Sequence, residues 1–208
     1  MLKTGICILF IYCCPYCQAQ SDSIIKPSNS HFNLKLSSGS SVIYPGVSTG
    51  IEFPLHPYNC KGLITKPDNR SYYKCRFISG NLSWYHHPGF HDNLYFTAEI
   101  VMRRTRQGGF FSEFSFGPGY SRTFIAGTTY KENENGDISV VKHAGYSYAV
   151  ITFGGGFGYD FSLKKQIPVS VFSKMNLLSM FPYNSTIYIR PVLELGFRYF
   201  TGRNCHRK

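Results

Sequence analysis

Histidines gather in one short stretch of the chain: His86, His87 and His91, with Asp92 beside them, around a His-Pro-Gly turn at 87–89. Imidazole and carboxylate groups brought together at a hairpin end could hold zinc or copper. Ser83 stands four residues before His87, so on a strand the two share a face. Glu99, on the next segment, would complete a set of nucleophile, base and carboxylate. Neither set is specific. A Ser and a His at that spacing arise often by chance, and interfacial His and aromatic side chains beside a structural Ser are the simpler expectation. Gly154-Gly-Gly-Phe-Gly158 has the outline of a phosphate loop, but no helical pattern follows it, so it reads as a strand shaped by glycine. No cofactor is implied.

Cysteines divide the chain differently. Lys3, the short apolar run Ile6 to Tyr12 and the small residue Ala19 read as a Sec signal peptide over 1–19, with the mature chain starting at Gln20. Four of the seven cysteines leave with it. Export to an oxidising compartment favours a disulfide between Cys60 and Cys75, closing a loop of about 15 residues and contributing about 3 kcal/mol. A reduced pair is the alternative. Cys205 is left odd, without an assigned partner.

The elements that position these residues follow from composition. At 208 residues the chain suits one domain, and 17% aromatic residues with 20 glycines suit strands and turns rather than helices. No segment after the leader is a continuous apolar stretch long enough for a membrane helix, so entry into a membrane requires a closed barrel. The formal charge of +11 falls to about +10 without Lys3. Export argues against nucleic acid as the partner. Much of the surplus sits in turns and the tail (Lys164, Lys165, Arg203, Arg207, Lys208), solvated or facing anionic head groups.

From residue 31 onward the pattern predicts eight strands, at 31–41, 43–55, 73–87, 93–105, 110–125, 145–162, 167–178 and 186–200. Turn chemistry marks the breaks, among them Pro-Gly at 45–46, Gly-Gly at 108–109 and Pro-Tyr-Asn at 182–184. Within the runs, faces alternate. Phe114, Phe116, Pro118 and Tyr120 oppose Glu113, Ser115, Gly117 and Gly119; Leu193, Leu195, Phe197 and Tyr199 oppose Glu194, Gly196 and Arg198. The polar faces collect Lys35, Glu52, Glu99, Arg103, Glu113, Asp160, Lys174, Arg190, Glu194 and Arg198, five of each sign. Such a balance suits a narrow lumen, where an unpaired charge is costly, and the aromatic face suits lipid. A soluble barrel would turn the same faces the other way. The expected organisation is a signal peptide (1–19), a periplasmic segment (20–30), a closed antiparallel transmembrane β-barrel (31–200) and a basic periplasmic tail (201–208). The polar 126–144 connection is then extracellular. The 56–72 connection is too long for a periplasmic turn unless it holds structure of its own.

The stretches Tyr44-Pro-Gly-Val-Ser-Thr-Gly-Ile-Glu-Phe53, Gly80-Asn-Leu-Ser-Trp-Tyr-His-His87 and Phe114-Ser-Phe-Gly-Pro-Gly-Tyr-Ser-Arg-Thr-Phe124 resemble the small outer-membrane β-barrel proteins of Bacteroidetes-type bacteria. Glu194-Leu-Gly-Phe-Arg-Tyr-Phe200 is similar to a terminal strand read by the barrel-assembly machinery. The resemblance implies an outer-membrane barrel in contact with lipid and carries over no established activity. It leaves three expectations: a structural or surface-interaction barrel, a lipid-modifying hydrolase, or a narrow pore or small-ligand carrier. The His-x-Ser-Asn pattern of barrel lipid A deacylases is absent.

Overall fold

The computed structural model describes residues 31–41, 44–55, 61–65, 71–132, 135–183 and 186–201. The leader, the 20–30 segment, Cys60 and the tail from 202 with Cys205 lie outside the described residues. The elements are β1 (Asn33–Ser41), β2 (Tyr44–Pro54), β3 (Lys61–Thr65), β4 (Ser71–His87), β5 (His91–Arg106) and β6 (Phe110–Ile125). They continue as β7 (Thr129–Glu132), β8 (Ile138–Val141), β9 (Gly145–Asp160), the single turn α1 (Ser162–Lys165), β10 (Val169–Tyr183) and β11 (Thr186–Phe200).

Eight of the strands close into an antiparallel ring, β1-β2-β4-β5-β6-β9-β10-β11, with β11 returning to β1. Closure fixes the register: Asn33 lies opposite Phe200 and Ser40 opposite Leu193. Both ends of the barrel chain meet at one rim, the near end. The far end carries the 88–90 turn and the 126–144 connection. The 88–90 turn needs a left-handed backbone at Gly89 (φ 79°), which lets the Phe90 amide donate to the His87 carbonyl at 3.2 Å.

Alternation sets which side faces where. In β5 and β6 nearly every second residue is buried and its neighbours exposed. Glu113 is 6% exposed and Phe114 beside it 51%. Polar side chains fill the interior while Leu34, Ile51, Ile100, Phe116, Phe153 and Leu195 stand outside. That distribution is inverted relative to a soluble barrel, and only a hydrocarbon surrounding stabilises it. The chain is therefore a transmembrane β-barrel. Strands such as β4 (17 residues) and β5 (16 residues) exceed the roughly 9–11 residues a tilted crossing requires, so they project beyond the bilayer.

Several expectations need correction. The seventh ring strand runs from Val169 to Tyr183 rather than 167–178, passing through Pro182, where the sequence suggested a turn. Ring strand β9 ends at Asp160, and Ser162 begins α1 instead of continuing the strand. The long 56–72 connection holds β3, which pairs with the start of β4 from Lys61 opposite Lys74 to Thr65 opposite Ser71. The 126–144 connection holds a second hairpin, β7–β8, with Tyr130 opposite Val140.

Candidate functional site

All ten charged residues expected in the lumen lie on its inner face, between 1% and 8% exposed. Toward the near end four of them form a closed ring. Arg103 donates from Nη2 to the Glu52 carboxylate (2.9 Å) and from Nε to Glu113 (3.0 Å). Arg198 donates from Nε to Glu52 (2.7 Å) and from Nη2 to Glu113 (2.5 Å). Each guanidinium thus bridges both carboxylates. Asn33 adds a bond to Glu52 at 3.3 Å. Planar guanidinium groups are suited to such two-sided bonding, and their faces stay free for aromatic contact. Phe77 and Phe111 flank Arg103 at 4.7 and 5.1 Å, while Phe172 covers Arg198 at 3.9 Å.

Above the ring two lysines take the remaining glutamates. Lys35 reaches Glu194 at 3.1 Å, and Lys174 crosses the lumen to Glu99 at 2.6 Å. Lys174 lies directly opposite Glu194 in the strand register, yet it pairs with Glu99. The interior space for its stem is made by Gly154, where an added Cβ would collide with Lys174, Asn176 and Ser115. Asp160 accepts from the Ser162 amide at 2.9 Å at the near rim. Arg190, toward the far end, stacks on Tyr85 at 3.4 Å.

Sequence reasoning missed an apolar cluster in the far half of the lumen, set among the hydrogen-bonded pairs Ser48–Ser83 and Asn93–Ser121. Tyr85, Tyr95, Val150, Leu178, Met180 and Val192 pack together there, with Tyr148 against them. Beside them, next to Gly39 and Gly46, a gap of about 10 Å³ reaches Ser48, Arg190 and Glu194. That is room for about one water molecule, far below the roughly 300–1,000 Å³ of small-molecule sites. The signal for this layer was parity: each of its members sits an even number of residues from a lumen-facing residue of its own strand.

The candidate triad is pulled apart. Ser83 lies opposite Tyr95, whereas Glu99 lies opposite Ser79, so Glu99 is four residues nearer the near end. His87 is four residues away in the other direction. At about 3.4 Å per residue, His87 and Glu99 are separated by about 27 Å along the strands. Ser83 donates to Ser48 Oγ at 2.8 Å, and Glu99 is bound to Lys174 and Thr97. The three residues do not form a catalytic set.

The histidine cluster splits for the same reason that it looked promising. His86 and Asp92 are opposite each other on the outer face, with Nδ1 and Oδ1 2.6 Å apart. His87 and His91 occupy the inner face at the rim, their rings 5.1 Å apart. Alternation sends the two pairs to opposite sides of the wall, and no group of three ligating side chains forms among the described residues. Cys75 faces inward and is disulfide-bonded; the expected partner Cys60 lies outside the described residues.

No family model matches the chain, and no curated protein matches it. Among solved structures it is similar to neisserial surface protein A, at 11% identity over 81% of this chain and 94% of that one, with a TM-score of 0.47. It is also similar to the N-terminal β-barrel domain of Pseudomonas aeruginosa OprF (13% identity, 83% and 98% covered, TM-score 0.44). The outer membrane enzyme PagL is a third (9% identity, 80% and 98% covered, TM-score 0.45). At these identities the likeness is one of shape, and no activity follows from it.

Proposed function

We propose that the protein is a non-catalytic outer-membrane barrel that anchors a surface element, with its termini in the periplasm and its far end outside the cell. The observation that carries this reading is the filled lumen. The Glu52–Arg103–Glu113–Arg198 ring and the apolar layer beyond it occupy the interior with bonded side chains, which suits a rigid post rather than a conduit or carrier. Export through the Sec pathway, insertion by the barrel-assembly machinery, kinship with Bacteroidetes-type barrels and a Cys60–Cys75 bond belong to the same proposal. The anchored element is the β7–β8 ribbon. Tyr130, Ile138 and Val140 lie on one of its faces and are 65%, 74% and 57% exposed, an apolar patch suited to contact with another macromolecule.

The test is surface proteolysis of intact cells combined with gel mobility before and after boiling. A folded barrel migrates differently once boiled, and the ribbon should be cut by added protease while the ring strands survive. Replacing 127–143 with a short turn should leave that mobility shift intact. A ribbon cleaved only after the cells are opened, or a chain with no mobility shift, would contradict the proposal.

A further inference from the structure

The outer face near the near end is not uniform. On β4 and β5 it carries Lys74, Arg76, Arg104 and Arg106, three of them exposed and Lys74 half-buried. Lys74 is directly opposite Arg104, Arg76 opposite Met102 and Tyr72 opposite Arg106. Like charges placed directly across a strand pair repel, because their Cβ atoms are only about 5 Å apart. None of the four has a carboxylate partner among the described residues. The outward residues of β4, β5 and β6 include one acid, Asp92, which is at the far end and bound to His86. Elsewhere around the same rim the described outward strand residues are uncharged and mostly apolar or aromatic, including Leu34, Phe53, Phe157, Val171, Phe197 and Tyr199.

Depth matters as much as charge. The outward apolar run of β5 from Leu94 to Met102 covers about 27 Å of strand, or about 21 Å of bilayer depth at a tilt near 40°. Arg104, the next outward residue, falls about 5 Å beyond, where lipid phosphates begin. Aromatic rings sit beside the cationic heads: Lys74 lies over Tyr72 at 5.7 Å and Arg106 over Phe110 at 5.6 Å. Guanidinium groups bind phosphate oxygens in pairs, and cations at a membrane surface attract anionic lipid.

We propose that this β4–β5 patch is a binding site for the phosphate headgroup of an anionic glycerophospholipid in the leaflet at the near end. The proposal rests on the membrane-barrel reading above. Native mass spectrometry tests it, using the mature protein in detergent with equal amounts of phosphatidylglycerol and phosphatidylcholine. The expected result is retention of the anionic lipid by more than about fivefold over the zwitterionic one, falling as salt is raised. The variant carrying Lys74→Gln, Arg76→Gln, Arg104→Gln and Arg106→Gln should bind the two lipids equally. Lys164→Gln with Lys165→Gln, on the opposite side of the rim, should keep the preference. Inorganic phosphate at millimolar concentration should not displace the lipid; displacement would mean a site for free anion instead. If the fourfold variant does not refold, the pairs Lys74→Gln/Arg104→Gln and Arg76→Gln/Arg106→Gln are measured separately, and each should lower the preference. Equal retention by the unmodified protein, or an unchanged preference in the variants, overturns the proposal. Failure of the membrane reading would look different, as a chain that does not insert into phosphatidylcholine vesicles at all.

Discussion

The two halves of the lumen solve the same problem by different chemistry. Both must fill a narrow space from which water is largely excluded. The near half does so with a ring of two carboxylates and two guanidinium groups, braced by Phe77, Phe111 and Phe172. The far half does so with Tyr95, Val150, Leu178, Met180 and Val192, where the buried cation Arg190 lies against the Tyr85 ring. The difference lies in how each fails. An apolar layer that loses a side chain loses packing; a charge ring that loses a member leaves a buried charge without its counterpart.

Breaking the near half should therefore have the largest effect. Glu113→Ala leaves Arg103 and Arg198 each short of one partner and should destabilise the barrel by about 4 kcal/mol, read from urea unfolding in lipid vesicles. A near-neutral result would mean that the ring contributes nothing to stability. Leu178→Ala, in the far half, should cost about 3 kcal/mol by the same measurement. A loss below about 1 kcal/mol would show that the layer is loosely packed.

Smaller effects sharpen the contrast. Ser83→Ala removes one buried hydrogen bond to Ser48 and should cost about 1 kcal/mol, with no change in the lipid A profile of cells expressing it. A changed profile would restore the hydrolase expectation. Finally, Glu113→Ala and Leu178→Ala should combine additively to within about 0.5 kcal/mol, since Glu113 lies level with Lys174, four residues or about 14 Å along β10 from Leu178. Coupling well above that would mean the two layers act as one unit.

Much of this arrangement was legible in the sequence, but unevenly. Period-two alternation located the ring strands and the inward set from Lys35 to Arg198, because a wall with unlike faces must alternate. It weakened where both faces are apolar. In β10, Leu177 faces out while Leu178 and Met180 face in, so no alternation is visible there, and Pro182 read as a break in a strand that runs on to Tyr183. Strands β3, β7 and β8 were too short, at four or five residues, to show a period. Which acid meets which base was not legible at all. Lys35 is opposite Arg198 in register, a like-charged pair, and each turns to a carboxylate elsewhere. Such choices depend on how the strands stagger around the closed ring.

The ring's members enter the chain at unequal intervals. Arg103 and Glu113 are ten residues apart, Arg103 and Glu52 fifty-one, Arg198 and Glu113 eighty-five, and Arg198 and Glu52 one hundred and forty-six. A partly built wall running from β2 to β6 holds two of these carboxylates and only one of these guanidinium groups. The missing positive charge arrives with β11, the strand that also seals the cylinder. Electroneutrality of this layer therefore requires the same strand whose pairing with β1 completes the wall.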